Sequence, residues 1–217
     1  MKIGILGTGM VGNTIASKLV ALGHEVMMGS RTANNEKAQA WVAQAGARAH
    51  AGTFAHAAAF GEMIWVCTAG AGTLEAVHAA GPANLDGKIV VDVTNPLDFS
   101  RGMPPRLSVV NDDSLGEQVQ RAAPGARVVK GLNTINCNLM VDATRIAGDH
   151  DTFVAGNDAE AKARVTEILR RDFGWRHVVD LGDITGARAT EMYLPLWLRL
   201  YGALGSADFN VHVVRPA

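Results

Sequence analysis

Residues 2–12, Lys-Ile-Gly-Ile-Leu-Gly-Thr-Gly-Met-Val-Gly, place a short apolar run directly before three glycines spaced as Gly-x-Gly-x-x-Gly. The apolar run has the length of a buried strand, and the residues after it have the period of a helix. In this context Gly7 permits a tight turn, Gly9 leaves room for a pyrophosphate, and Gly12 lets the helix pack on the strand. The stretch therefore predicts a dinucleotide-binding turn with the phosphates at the helix N-terminus. The residues assigned to it are Gly7, Thr8, Gly9, Met10, Val11 and Gly12.

The end of the second predicted strand indicates which dinucleotide is bound. Proteins that bind NAD usually place an acidic residue there to hold the ribose 2′-hydroxyl, but residues 26–35 contain no Asp or Glu. Ser30, Arg31 and Thr32 stand there instead. Hydroxyls beside a guanidinium suit a 2′-phosphate, which a carboxylate would repel. We therefore expect NADP(H), with Lys37 at the next helix start as a second exposed cation for the phosphate.

Strand-length apolar runs alternate with amphipathic segments over the first two-thirds of the chain. The predicted strands are Lys2–Leu6, Glu25–Met28, Arg48–His50, Met63–Thr68, Lys88–Val93 and Arg127–Leu132. The predicted helices between them are Val11–Leu22, Glu36–Ala45, Thr53–Phe60, Thr73–Ala80 and Ser114–Ala123. Nearly continuous apolar strands are typical of a sheet covered by helices on both faces. The pattern predicts an α/β fold, a doubly wound and mainly parallel Rossmann sheet.

The segment Asp98–Asp113 and the C-terminal region depart from this alternation. Asp98–Asp113 carries two prolines and a glycine, is too irregular for a crossover helix, and is predicted to be a long functional loop. Residues 1–148 are expected to form the NADP-binding domain, and residues 149–217 a small region packed on it. The elements predicted in that region are the strand Thr152–Ala155, the helix Ala159–Asp172, the strand His177–Asp180 and the apolar helix Ala187–Leu204.

The last predicted helix is apolar almost all round. Such a helix is buried, either against its own domain or against a partner subunit. A homodimer is therefore expected.

Composition excludes several classes of function. The chain has 217 residues, 48% of them hydrophobic, and a formal net charge of -1, which gives no basic field for nucleic acid or an anionic membrane. Two cysteines cannot form a disulfide framework, which favours the reducing cytoplasm. The seven histidines are scattered without metal-ligand spacing, and no Gly-x-Ser-x-Gly elbow occurs, so neither a metal centre nor a serine hydrolase is expected. Lys130 is interpreted as a strand-end lysine rather than a catalytic acid.

Three loops follow predicted strands at the edge where open α/β sheets bind ligands. They begin at Thr68, Thr94 and Asn133, and they offer small residues, hydroxyls and amides rather than an acid–base pair. Such loops suit hydride transfer between two aligned rings, so no catalytic side chain is assigned. The residues assigned to cofactor contact here are Thr68, Ala69, Asn95, Asn133, Thr134, Ile135 and Cys137.

Four motifs in order extend over essentially the whole chain: GILGTGMVG, GSRT, KGLNTIN and DLGDITGARATEMYLPLWLRL. On these the chain resembles the NADPH-dependent reductases of coenzyme F420, a deazaflavin. It is equally similar to bacterial NADP oxidoreductases of that type and to the cytosolic reductase domain of the eukaryotic membrane metalloreductases. The resemblance implies direct hydride transfer between NADP(H) and a deazaflavin or a flavin.

The resemblance also implies roles for individual residues. Thr8, Ser30 and Arg31 would hold the 2′-phosphate, and residues 7–12 the pyrophosphate. Thr68 and Ala69 would lie along the nicotinamide riboside, and residues 133–137 would border the nicotinamide and the acceptor ring. Family members that use the deazaflavin tend to carry a His-Thr-Ile-Pro run where this chain has Asn-Thr-Ile-Asn at 133–136. The acceptor is therefore open between coenzyme F420 and FMN or FAD.

Two other functions remain open at the level of the sequence. One is an NADP(H)-binding sensor or interaction protein without turnover, since Rossmann folds host unrelated functions. The other is a reductase of the imine or pyrroline-carboxylate type, which shares this kind of N-terminal domain.

Overall fold

The structure is a computed structural model that describes residues 1–214 and Pro216. Within these residues the strands are β1 (Lys2–Leu6), β2 (Glu25–Ser30), β3 (Ala49–Thr53), β4 (Met63–Val66), β5 (Ile89–Asp92), β6 (Leu97–Asp98), β7 (Arg106–Leu107), β8 (Arg127–Gly131), β9 (Asp151–Ala155) and β10 (His177–Asp180). The α-helices are α1 (Met10–Ala21), α2 (Glu36–Ala45), α3 (Phe54–Phe60), α4 (Thr73–Ala80), α5 (Pro82–Leu85), α6 (Leu115–Ala122), α7 (Cys137–Met140), α8 (Ala159–Arg171), α9 (Ala187–Met192) and α10 (Leu194–Leu204). Short 3₁₀ turns occur at Gly70–Gly72, Ala143–Arg145 and Ile184–Gly186.

Eight strands form one sheet in the order β3-β2-β1-β4-β5-β8-β9-β10. All neighbours are parallel except β8 and β9, which run antiparallel with Lys130 opposite Ala155. The predicted α/β fold with a doubly wound, mainly parallel sheet is confirmed. The region after residue 148 adds β9 and β10 to this same sheet.

The core lies on both faces of the sheet. Ile3, Ile5 and Trp65 belong to one buried apolar cluster, whereas Ile64 and Val66 belong to the cluster on the opposite face. Successive residues of a strand point to opposite faces. Burial on both sides therefore explains why these strands are continuously apolar in sequence.

The chain order reverses between β1 and β4. From β1 the chain passes outward to β2 and β3, then returns across the sheet to β4 and β5. Ligands of open α/β sheets bind in the crevice beside such a switch point, at the carboxyl ends of the strands. The turn after β1 and the loop after β4 border this crevice.

The last predicted helix differs from the observed structure. Ala187–Leu204 forms two helices, α9 and α10, separated at Tyr193. Pro195 has no N–H to donate, and its ring clashes with the carbonyl group four residues earlier, which interrupts a continuous helix. Along α10 only Leu194 is buried, while Leu196 is 54% and Leu204 59% exposed. The prediction of one continuous helix is therefore wrong. Of the two expected ways to bury it, packing within its own domain does not hold for α10, and packing against a partner subunit stays a prediction.

Candidate cofactor-binding site

The turn after β1 is built by glycines at close approaches. Gly7 has φ +126°, and a Cβ there would lie 2.7 Å from the Cys67 carbonyl oxygen. A Cβ at Gly12 would lie 2.3 Å from the Gly7 carbonyl oxygen. Side chains at these two positions would separate β1, α1 and β4, so the first and third glycines fix the packing of the turn.

The middle glycine faces open space. A Cβ at Gly9 would meet no atom within 4 Å. Gly9 also precedes α1 without any side-chain hydrogen bond capping the helix. The first N–H groups of a helix have no intrahelical acceptor, and together with the helix dipole they attract anions. The clearance and the uncapped donors fit a pyrophosphate group at Gly9.

The predicted 2′-phosphate residues lie where β2 ends. Ser30 is 4% exposed, and its hydroxyl donates to the Thr32 carbonyl oxygen at 2.6 Å. Arg31 and Thr32 are exposed. Among the residues that the structure describes, the Arg31 guanidinium forms no ion pair. We call residues 7–12, the turn after β1, the phosphate turn. An exposed guanidinium near this turn suits a phosphate ligand, whereas the Ser30 hydroxyl already donates its hydrogen to Thr32.

A groove of about 420 Å³ begins at the same turn. It brings Lys37 on α2 beside the phosphate turn. Its lining residues are Thr8, Gly9, Met10, Asn13, Thr14, Lys37, Ala40, Trp41 and Gln44. Ser30, Arg31 and Thr32 are not among them. The polar residues of α1 and α2 in this groove were not predicted, because they have the ordinary pattern of solvated helix faces.

A second cavity, of about 550 Å³, lies at the switch point. It extends from Val11 on α1 to the loops after β4 and β5. Of the predicted residues, Val11, Thr68, Ala69 and Asn95 line it. The other lining residues are Cys67, Gly70, Ala71, Val93, Thr94, Leu97, Asp98, Phe99 and Ser108.

Hydrogen bonds between the loops shape this cavity. The Asn95 side chain donates to the Asn133 carbonyl oxygen at 2.7 Å, and the Asn133 side chain donates to Asn95 Oδ1 at 2.9 Å. The hydroxyl groups of Thr68 and Thr73 lie 3.0 Å apart. Leu132, directly before Asn133, has φ 61°, a conformation that a non-glycine residue rarely adopts. The loop after β8 thus supports Asn95 from behind.

The remaining predicted residues of the loop after β8 are buried. Asn133, Thr134, Ile135 and Cys137 are 3–7% exposed, and none of them lines the 550 Å³ cavity. Asn133 reaches the cavity only through its hydrogen bonds with Asn95.

Two titratable groups line the cavity, and neither has a pKa near neutrality. Burial, together with the charge of Asp92, raises the pKa of the Cys67 thiol far above its usual range. Hydrogen bonds from the Ser100 N–H and hydroxyl groups lower the pKa of Asp98. Cys67 is therefore a neutral thiol and Asp98 a carboxylate at neutral pH, and neither is poised for proton transfer.

Lys130 belongs to a buried network below the cavity. Its Nζ lies 3.0 Å from Asp92 Oδ2, 2.7 Å from Glu191 Oε1 and 2.6 Å from the Thr94 carbonyl oxygen, and it is 1% exposed. Burial raises the pKa of Glu191, which also accepts hydrogen bonds from the N–H groups of Leu115 and Gly116. Lys130 ties the loop after β5 to the start of α6, which agrees with a structural rather than a catalytic lysine.

Comparison with known proteins decides the family. The family model for coenzyme F420-dependent NADP oxidoreductases matches residues 2–96. The chain is 53% identical to a protein from Arthrobacter sp. FB24 whose crystal structure carries the provisional name F420-dependent NADP-reductase, with 99% of this chain and 100% of that chain covered and a TM-score of 0.94. The chain belongs to the coenzyme F420-dependent NADP oxidoreductase family. It is an NADP-dependent oxidoreductase.

The chain is also similar to other reductases and shares its fold with more distant proteins. It is 29% identical over 212 residues to the F420-dependent NADP reductase of Methanothermobacter marburgensis, which covers 92% of each chain. It is 30% identical over 201 residues to the rat metalloreductase STEAP3, covering 90% of this chain but only 38% of the metalloreductase. A reductive aminase from Aspergillus terreus shares the fold at 21% identity and a TM-score of 0.65, with 94% of this chain and 62% of that chain covered.

The described part of the chain contains neither a membrane-spanning helix nor a metal-binding cluster. None of its helices has the length and apolar character needed to cross a membrane. No group of three or more His, Cys, Asp or Glu residues within it is arranged to hold a metal ion.

Proposed function

We propose that this oxidoreductase transfers hydride directly between NADP(H) and coenzyme F420, or a flavin such as FMN or FAD. The observation that carries the proposal is the continuity of the 550 Å³ cavity from Val11, beside the phosphate turn, to the loops after β4 and β5. Within this family the nicotinamide supplies the hydride chemistry. A cavity of this extent leaves space for an acceptor ring beside it.

Different residues would bind the different parts of NADP(H). The uncapped start of α1 at Gly9 would bind the pyrophosphate, and Arg31 with Thr32 and Lys37 would bind the 2′-phosphate, while the Ser30 hydroxyl holds the turn through its hydrogen bond to Thr32. Thr68 and Ala69 would lie along the nicotinamide riboside. The neutral Cys67 thiol adds no charge to the cavity wall.

The acceptor would be aligned rather than activated. Asn95, held by Asn133, would orient the rings, and residues 134–137 would support that loop from the buried side. The lining groups Cys67 and Asp98 have pKa values displaced away from neutrality. This supports catalysis by proximity and orientation: hydride passes from NADPH to the acceptor ring, and water rather than a side chain supplies the proton that the reduced acceptor takes up.

Multiple-turnover NADPH oxidation tests the proposal. The purified protein is mixed with NADPH and with coenzyme F420, FMN or FAD in turn, and each acceptor's absorbance is followed. Bleaching of one acceptor, with matching loss of NADPH, is the expected result. Tight NADPH binding without turnover of any acceptor would refute the proposal and favour a sensor. Oxidation of NADPH by a cyclic imine alone would favour an imine reductase, whose fold this chain shares.

We also propose a homodimer formed through α10. Exposed apolar side chains along and beside this helix are those of Met192, Leu196, Tyr201 and Leu204. The rings of Trp197 and Tyr201 stack at 5.6 Å on the same helix. Several large apolar side chains exposed on and beside one helix are costly in water and are typical of a subunit interface.

A further inference from the structure

A small hairpin closes one side of the 550 Å³ cavity. Strands β6 and β7 pair Leu97 with Leu107 and Asp98 with Arg106. The chain reverses between them through a turn in which the Gly102 N–H donates to the Phe99 carbonyl oxygen at 2.9 Å. We call residues 97–108 the hairpin. It accounts for much of the predicted irregular loop, and no role has been assigned to it so far.

The base of the hairpin is closed by Ser108 and Pro96 and borders the cavity. The Ser108 N–H donates to the Pro96 carbonyl oxygen at 2.8 Å, and the Ser108 hydroxyl donates to the same oxygen at 3.2 Å. Leu97, Asp98, Phe99 and Ser108 all line the cavity. The hairpin is therefore part of the site.

The tip of the hairpin presents apolar side chains to solvent. Phe99 is 56% exposed and Met103 is 71% exposed. Phe99 is also the one aromatic side chain among the described residues that line the cavity. Large apolar groups at a cavity mouth gain free energy when a flat apolar ligand covers them. Phe99 thus offers the ring-stacking surface that the small residues elsewhere in the cavity lack.

The charges of the hairpin favour an anion. Asp98 faces Arg106 across the two strands and lies close enough to Arg101 to interact with its charge. Both guanidiniums are exposed, and within residues 1–214 neither forms an ion pair. Within the hairpin, two guanidinium charges and one carboxylate give a net positive charge beside the cavity. An exposed guanidinium without an ion-pair partner can bind a phosphate group through charged hydrogen bonds.

We propose that the hairpin selects the acceptor, with the planar ring system stacked on Phe99 and a phosphate of the acceptor's side chain bound by Arg101 and Arg106. This inference rests on the proposed function and specifies its substrate class: a phosphorylated deazaflavin or flavin rather than the corresponding unphosphorylated compound. The hairpin takes no part in hydride transfer, so its residues affect acceptor binding and not NADP(H) binding.

Fluorescence titration measures the acceptor's dissociation constant directly, because deazaflavins and flavins are themselves fluorescent. The protein, saturated with NADP⁺, is titrated into two pairs of probes: FMN with riboflavin, and coenzyme F420 with its deazaflavin fragment lacking the phosphate. For the phosphorylated probes that the wild-type protein binds, Phe99→Ala is expected to raise the Kd about tenfold. The same variant should raise the Kd of their unphosphorylated partners by a similar factor.

The double variant Arg101→Gln/Arg106→Gln distinguishes binding of the acceptor's phosphate from binding of its ring. It should raise the Kd of the phosphorylated probe about tenfold and leave that of its unphosphorylated partner within about twofold. Val110→Ala is the matched control, since Val110 is an exposed apolar residue of the same segment that does not line the cavity. It should change neither value. The Kd of NADP⁺ should stay within about twofold in every variant.

The outcomes distinguish this inference from the function on which it rests. Absence of acceptor turnover by the wild-type protein would refute the proposed function itself. Wild-type turnover with unchanged acceptor Kd values in Phe99→Ala and in the double arginine variant would overturn only the role of the hairpin. A change in sedimentation of Phe99→Ala without a change in acceptor Kd would also overturn it, because the tip would then contact a second copy.

Discussion

Arg31 is the residue proposed to distinguish NADP(H) from NAD(H). It is exposed at the end of β2, in a stretch without acidic residues, and it has no ion-pair partner among the described residues. Arg31→Ala should weaken NADPH binding by about 1.5–3 kcal/mol through loss of a charged hydrogen bond, and NADH binding much less. Isothermal titration of both cofactors measures this. Arg170→Ala, at an exposed arginine on α8, is the control and should change neither affinity; equal losses for both cofactors in Arg31→Ala would contradict the assigned role.

A substitution at Gly9 tests cofactor binding with less effect on folding than a substitution at Gly7 or Gly12. Its φ of -77° and ψ of -177° are open to alanine, and the added Cβ would meet no protein atom within 4 Å. Gly9→Ala should therefore leave the free energy of unfolding within about 0.5 kcal/mol of wild type. It should raise the Kd of NADPH at least about tenfold, because the methyl group occupies the space of the pyrophosphate.

Gly72→Ala is the matched control for Gly9→Ala. Gly72 also faces open space, with φ -105°, but precedes α4 instead of α1. The measurements are urea denaturation and NADPH titration of both variants. Unchanged NADPH affinity in Gly9→Ala would mean that the pyrophosphate does not lie over this residue.

At the scale of the elements, the buried network connects β5, β8, α6 and α9. Lys130→Met would leave Asp92 and Glu191 without their cation in a fully buried position. The expected loss of unfolding free energy is about 3–5 kcal/mol. Arg121→Met, which removes the exposed ion pair with Asp113, should cost less than about 1 kcal/mol. Similar costs for the two variants in chemical denaturation would contradict a structural role of the buried network.

The sequence predicted regular elements well where the apolar period was strong. The helices Glu36–Ala45 and Thr73–Ala80 and the strand His177–Asp180 occur with the predicted bounds. The hairpin strands β6 and β7 were not predicted, because two residues are too few to establish a period. Pro195 was visible in the sequence, but its effect depends on the backbone position it takes in the helix.

For the candidate site too, the sequence predicted some residues and missed others. The phosphate turn follows from a local motif, so its geometry agrees with the glycine roles expected from the sequence. No local signal predicted Phe99 and Ser108 as cavity residues, because they line the cavity only when β6 and β7 pair to form the hairpin. Conversely, the buried position of residues 133–137 depends on packing between loops, which local sequence does not encode.

At the scale of the whole molecule, α10 leaves an apolar surface uncovered. Leu196 is 54% exposed, so a charged side chain there should be tolerated by the isolated fold but not by a subunit interface. Leu196→Glu should convert a dimer into a monomer in sedimentation-velocity experiments while the circular dichroism spectrum stays unchanged. Leu22→Glu, at an exposed apolar residue shortly before the start of β2, at the opposite edge of the sheet from α9, should remain a dimer. A wild-type monomer, or a dimer that Leu196→Glu does not dissociate, would contradict the interface.

The proposed function requires two rings to meet in one cavity, so the transferred hydrogen itself is the most direct test. Hydride delivered to C5 of a deazaflavin forms a C–H bond that does not exchange with water. NADPH deuterated at the transferred C4 position is reacted with coenzyme F420 in the presence of the protein, and the reduced product is examined by mass spectrometry. Direct transfer predicts retention of the deuterium in reduced coenzyme F420. Reduction without the label, or no reduction of coenzyme F420 and of both flavins, would contradict it.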